Sequence, residues 1–119
     1  MKERDLQRAT ARLIKSLGWL AWHTPNERKS KLKTIELKRQ GVLAGVSDWI
    51  IAEHYEDGDR SGFGIAIELK TPKGRVSQTQ RLFLEQLAAR GCLTATCRSL
   101  DEFRDVLRKV RPRNGRRVA

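Results

Sequence analysis

Cysteine, histidine, proline and aromatic side chains are all scarce in this 119-residue chain, which has two Cys, two His, three Pro and 6% aromatic residues. Each shortage removes a class of protein. Cys92 and Cys97 lie five positions apart in what reads as one short strand, and an odd offset turns their side chains to opposite faces, so they do not pair with each other. No Cys/His spacing suits zinc, and both thiols read as buried apolar filling. No apolar run approaches the roughly 20 residues that span a bilayer. The opening Met1-Lys2-Glu3-Arg4-Asp5 is charged, with no signal-peptide core behind it, so a soluble protein inside the cell is expected. Acidic residues are short as well: 14 Asp and Glu against 25 Lys and Arg leave a net charge of +11. That excess points to a polyanionic partner, with nucleic acid ahead of an anionic membrane surface. A hydrophobic fraction of 39% is low, yet sufficient for one core, and the length predicts one domain.

Leu6, Ala9, Leu13, Ile14 and Leu17 recur at helical spacing, which predicts a helix over 4–17 stopped at Gly18. Trp19 to His23 reads as a strand, 24–33 as a polar loop, and 34–40 as one short helix before a loop from Gly41 to Gly45. Asp48–Ala52 and Phe63–Lys70 read as strands of a hairpin, with a turn at 56–62 between them and Thr71-Pro72-Lys73-Gly74 ending the second. Ser77 caps a helix carrying Leu82, Phe83, Leu87 and Ala88 and closed by Gly91. A strand over Cys92–Cys97 follows, then a last helix, capped by Ser99 or Asp101, that carries Phe103, Val106, Leu107 and Val110. Pro112 ends it, and the Arg-rich stretch 111–119 reads as a disordered basic tail behind a domain over 1–110. Apolar strands interleaved with helices predict an α/β domain whose mixed sheet is covered on both faces.

The chemistry concentrates in Gly64-Ile65-Ala66-Ile67-Glu68-Leu69-Lys70-Thr71-Pro72. Residues two apart on a strand share a face, so Glu68 and Lys70 project together from one sheet end. Asp48 opens the neighbouring strand after Gly45-Val46-Ser47, and an antiparallel hairpin lays it beside Glu68. Carboxylates held that close repel unless a cation joins them or one is protonated. Such hard oxygen ligands suit Mg²⁺ or Mn²⁺, which polarise phosphoryl oxygens and acidify bound water. An adjacent lysine can stabilise charge on a phosphate in the transition state. The chain also holds a decoy, because Ile35-Glu36-Leu37-Lys38 repeats the four letters of Ile67-Glu68-Leu69-Lys70. It follows a Lys-rich loop, lacks an apolar run before it, and reads as a solvated helix or turn.

Gly45-Val46-Ser47-Asp48, Ile67-Glu68-Leu69-Lys70-Thr71-Pro72 and Gln80 together resemble the Gly-x-x-Asp, Glu-x-Lys and Gln arrangement of the VRR-NUC domain. This is the virus-type replication-repair nuclease branch of the PD-(D/E)xK superfamily. The resemblance runs from Glu3 to about Val110; Ser47 stands where the family usually has Pro. It implies a restriction-endonuclease-like three-layer αβα sandwich with a central mixed sheet. It further implies that Asp48 and Glu68 hold Mg²⁺ or Mn²⁺, that Lys70 is the catalytic lysine, and that Gln80 positions water or metal. Gln78 is two short of the family spacing. Glu3 resembles the first-helix acid that completes the metal shell, with Asp5 a competitor and Gln7 an alternative member.

His23-Thr24-Pro25-Asn26-Glu27 resembles a stretch of phage members, where His23 is either a general base or a structural histidine. His54 reads as solvated, and two histidines leave an HNH-type site little to build on. Arg28, Lys29, Lys31 and Lys33 form a basic loop, and with Lys73 and Arg75 they are expected on backbone phosphates. Trp19, Trp22 and Trp49 read as core rather than as base-stacking platforms. The implied activity is a metal-dependent deoxyribonuclease, selective for branched DNA such as Holliday junctions and acting as a homodimer in the cytoplasm of a bacterium or phage-infected cell. The alternatives are a less selective phage endonuclease on flaps or nicked duplex, and a non-catalytic basic module that binds nucleic acid.

Overall fold

A computed structural model describes residues 2–25, 31–41 and 43–119, without the side chains of 31–34. The elements run α1 (Glu3–Leu17), β1 (Ala21–His23), α2 (Lys31–Arg39), β2 (Trp49–Asp57), β3 (Arg60–Leu69), α3 (Gln78–Ala89), β4 (Leu93–Cys97), α4 (Leu100–Leu107) and β5 (Val110–Arg111). The sheet order is β1-β2-β3-β4, and β5 pairs with β2 further along the edge that β1 occupies. β1, β3 and β5 are antiparallel to β2, while β4 is parallel to β3 through the α3 crossover. The expected mixed sheet is therefore present.

Strand alternation sorts the core. Ile65, Ile67 and Leu69 turn one way and pack with Leu6, Ile14 and Leu17 of α1 and with Phe103 and Leu107 of α4. α1 is one-sided because its buried positions Leu6, Thr10, Ile14 and Leu17 repeat at helical spacing. Thr10 is tolerated inside because its hydroxyl is satisfied twice, donating to Gln7 O (2.8 Å) and accepting from Trp49 Nε1 (3.0 Å). Gly18 ends the helix at φ 67°, a left-handed value that favours glycine. The even-numbered residues of β3 face the other way, toward α3, which packs on β4. Helices thus cover both faces.

Four expectations need correction. The hairpin is longer than the apolar runs suggest, because β2 continues to Asp57 and β3 starts at Arg60, joined by the two-residue loop Gly58-Asp59. Gly58 takes the positive φ (64°) that such a loop needs at its first position. α2 begins at Lys31 rather than at 34, which places Lys31 and Lys33 on a helix. The stretch 111–119, expected to be disordered, instead lies against the body. Arg111 belongs to β5, Pro112 is buried, and Val118 packs on the core. Asn114 Nδ2 donates to Leu17 O (2.9 Å), and Arg116 O accepts from Trp19 Nε1 (2.7 Å). The anchors are two apolar side chains, an asparagine amide and a main-chain carbonyl, to which a count of arginines is blind. Trp22 also departs from expectation: it is 50% exposed on β1, whereas Trp19 and Trp49 are buried. Cys97 is buried and Cys92 half-buried, both as free thiols.

Glu53 ties the C-terminal segment down. Its buried carboxylate accepts from Leu20 N (3.0 Å) through Oε2 and from Arg113 N (3.0 Å) through Oε1. Hydrogen bonds to a charged group contribute roughly 1.5–3 kcal/mol. Glu53→Ala is expected to lower stability by about 2–3 kcal/mol in urea unfolding and to speed tryptic cleavage after Arg113 and Arg116. Unchanged stability and an unchanged digestion pattern would show that β5 alone holds the segment.

Candidate active site

The hairpin register builds the site. Trp49 pairs with Ile67, so the antiparallel count brings the preceding Asp48 opposite Glu68 on the α3 side of the sheet. Both are buried, Asp48 at 0% exposure and Glu68 at 1%. Asp48 Oδ2 accepts from Leu69 N (2.6 Å), and its carbonyl accepts from Thr24 N (2.8 Å), which joins β1 to the same corner. Glu68 Oε1 accepts from Gln80 Nε2 (2.9 Å) and has Lys70 Nζ at 4.0 Å. Glu68 Oε2 is buried and, among the described residues, faces no hydrogen-bond donor.

The two carboxyls lie within hydrogen-bond reach of each other, and both are acceptors when ionised. Burial first, and then the Asp48 carboxylate, push the Glu68 carboxyl up to about 8; the charge of Glu3 adds to this and Lys70 opposes it. In the metal-free protein Glu68 therefore keeps a proton at neutral pH, and that proton sits where a cation would relieve the same repulsion.

Two devices hold the frame. Ser77 caps α3 by accepting from Gln80 N (3.1 Å), while Gln80 Oε1 accepts from Ser77 N (3.0 Å). The same Gln80 side chain thus caps the helix with its oxygen and fixes Glu68 with its nitrogen. Gly45, at φ 78°, abuts α3 so closely that a Cβ would lie 2.6 Å from Thr79 O. Glycine lets the loop before Asp48 touch the first turn of α3.

The structure brings Asp48, Glu68, Lys70 and Gln80 together. Glu3 is exposed at the start of α1, near enough for its charge to act on Glu68, yet among the described residues no three His, Cys, Asp or Glu side chains form a metal-binding group. Gln7 is half-buried in a cleft with His23. Lys73 and Arg75 are exposed after the Lys70 strand. Arg28 and Lys29 lie outside the described residues, as do the side chains of Lys31 and Lys33. The decoy sits on α2, where exposed Glu36 pairs with Arg39 (4.0 Å). His54 is exposed. Nothing in the sequence marks Arg98, whose guanidinium Nη1 donates to Thr71 O (2.8 Å) and to Gly74 O, clasping the turn that follows Lys70.

A family model described as the VRR-NUC domain matches residues 1–101. The chain belongs to the VRR-NUC domain family. A solved VRR-NUC domain protein superposes with a TM-score of 0.70 at 23% identity, over 89% of this chain and 84% of that one, and shares the fold. No curated protein matches. VRR-NUC is a nuclease family, so DNA is the implied substrate, and the architecture is the restriction-endonuclease-like α/β domain. Among the described residues no helix is long and apolar enough to cross a membrane. The family generally uses divalent metals, and this chain's residues fit one. Two buried carboxyls converge, one of them with an oxygen that has no donor, and hard oxygens are what Mg²⁺ and Mn²⁺ take.

Between about 4.5 and about 8 the folded chain binds one more proton at Glu68 than the unfolded chain does. That stabilisation is complete below the unfolded value and disappears as pH rises through the folded one. In chelator, the Tm of the wild type is therefore expected to fall more steeply from pH 5 to pH 8 than that of Glu68→Gln. Parallel profiles would show that Glu68 is not held protonated. Gly45→Ala, strained by its positive φ and its contact with Thr79, is expected to cost at least about 1–2 kcal/mol in urea unfolding. Wild-type stability would show that the loop yields freely.

Proposed function

We propose that this VRR-NUC chain is a Mg²⁺- or Mn²⁺-dependent DNA endonuclease whose site is built by Asp48, Glu68, Lys70 and Gln80. The observation that supports it most is Glu68 Oε2, buried beside a second acid with no donor facing it among the described residues. Asp48 and Glu68 hold the cation, whose chemistry is to polarise a phosphoryl oxygen and lower the pKa of a bound water. Gln80 restrains Glu68 through Oε1, leaving Oε2 for the ion. The Lys70 side chain, 16% exposed, holds its ammonium 4.0 Å from Glu68 Oε1. There it offsets the charge of the acids and stabilises negative charge on the scissile phosphate. The net charge of +11 supplies sequence-independent affinity for the backbone. Branched DNA is the preferred substrate in this reading; a four-way junction has two scissile strands, which two copies of the chain related by a two-fold axis would serve.

The test incubates labelled four-way junction, flap, nicked duplex and linear duplex with purified protein, with and without each metal. Asp48→Asn and Glu68→Gln are expected to abolish cleavage; Asp48→Asn improves DNA affinity by removing a repelling charge, while Glu68→Gln leaves it unchanged without metal, where Glu68 is already neutral. Lys70→Ala is expected to bind metal and to cleave roughly 100- to 1,000-fold more slowly. Wild-type cleavage by a folded Asp48→Asn ends the nuclease assignment, and equal rates on all four substrates end the junction preference.

A further inference from the structure

The far side of the same sheet end carries a second polar feature. Arg4, Gln7, Arg8 and Ala11 of α1, His23 of β1 and Trp49 of β2 line an open cleft of about 290 Å³. A water's share of liquid is roughly 30 Å³, so the cleft accommodates a tetrahedral oxyanion with bridging waters. Arg4 and Arg8 stand one helical turn apart and are exposed, so their guanidinium groups are free to turn onto one anion. Among the described residues no acidic side chain lines the cleft.

His23 supplies the second observation. Its ring meets Trp49 edge-on, with centroids 5.5 Å apart at 67°. Its Nε2 is buried and has no hydrogen-bond partner among the described residues, a state that costs free energy until something fills it. The tautomer with its proton on Nε2 donates to an anionic oxygen.

The location ties this cleft to the reaction. His23 pairs with Trp49, and the next residue, Thr24, donates its N–H to the carbonyl of Asp48 (2.8 Å). Glu3, the neighbour of Arg4, lies close enough for its charge to reach Glu68. The cleft and the acids therefore flank one sheet end from its two faces.

We propose that the cleft between α1 and β1 is a subsite for a backbone phosphate of the DNA substrate, gripped by Arg4 and Arg8 and bonded by His23 Nε2. It deepens the nuclease reading and rests on it for the identity of the anion. A phosphate seated there anchors the strand beside the acids and sets which phosphodiester reaches them.

Labelled duplex and four-way junction are titrated by anisotropy in chelator over a range of salt, so that binding is read without cleavage. Arg4→Ala/Arg8→Ala is expected to weaken binding at least tenfold and to reduce the slope of log affinity against log salt by about one. His23→Leu is expected to weaken it roughly tenfold with little change of slope, because it removes a hydrogen bond. Arg12→Ala, on the same helix and outside the cleft lining, serves as the charge control and is expected to change affinity less than twofold. If the double arginine variant loses no more than twice what Arg12→Ala loses, the subsite is refuted, and so it is if a folded His23→Leu binds as wild type. Because Arg4 and Arg8 are exposed, their variants keep the fold and decide the matter even if His23→Leu unfolds. Loss of binding in a chain that never cleaves would overturn the nuclease reading and keep the subsite. Metal-dependent cleavage with an unaltered salt slope would do the reverse.

Discussion

Placing two carboxyls side by side out of water is unfavourable by several kcal/mol unless a proton or a cation joins them, and much of this VRR-NUC chain serves to keep that pair in place. Asp48 is fixed by the backbone N–H of Leu69 and through its own carbonyl by Thr24; Glu68 is fixed by Gln80. Each support comes from a different element: β3, the segment after β1, and α3. The fold is in this respect a holder for one local repulsion, and the core under α1 and α4 supplies the rigidity that makes the holder stiff. A softer frame would let the acids part and solvate.

The outlines of this arrangement were legible in the sequence because they follow from period. The spacing of Leu6, Ile14 and Leu17 marks α1, and the apolar run before Glu68 distinguishes it from Glu36, which carries the same four-letter motif on an exposed helix. Strand alternation alone puts Glu68 and Lys70 on one face, and hairpin geometry adds Asp48. Gln80 is preferred over Gln78 by the family spacing, and it is the one whose amide reaches Glu68.

What stayed hidden depends on partners that no local pattern names. Glu53 looks like one more surface acid in a polar stretch, yet it is buried because two distant backbone N–H groups need an acceptor. The segment 111–119 looks disordered because its side chains are cationic, yet the Asn114 amide bonds the end of α1 and the carbonyl of Arg116 bonds the Trp19 indole. Arg98 is one arginine among many until the turn at Thr71–Gly74 folds back onto it. Trp22 reads as core by residue type, and only its place on a short edge strand leaves it half outside. Burial and hydrogen bonding between remote positions are properties of the assembled sheet, and composition registers them as ordinary surface.

Gln80 gives one amide group two employers. Its oxygen closes the start of α3 against Ser77, while its nitrogen sets the orientation of Glu68. Helix fraying and the orientation of Glu68 are thereby welded into a single degree of freedom, so a lesion at Ser77 would still be felt by the acids. The cap residue of an outer helix becomes a remote tuning screw, and variation there is constrained by chemistry that it never touches.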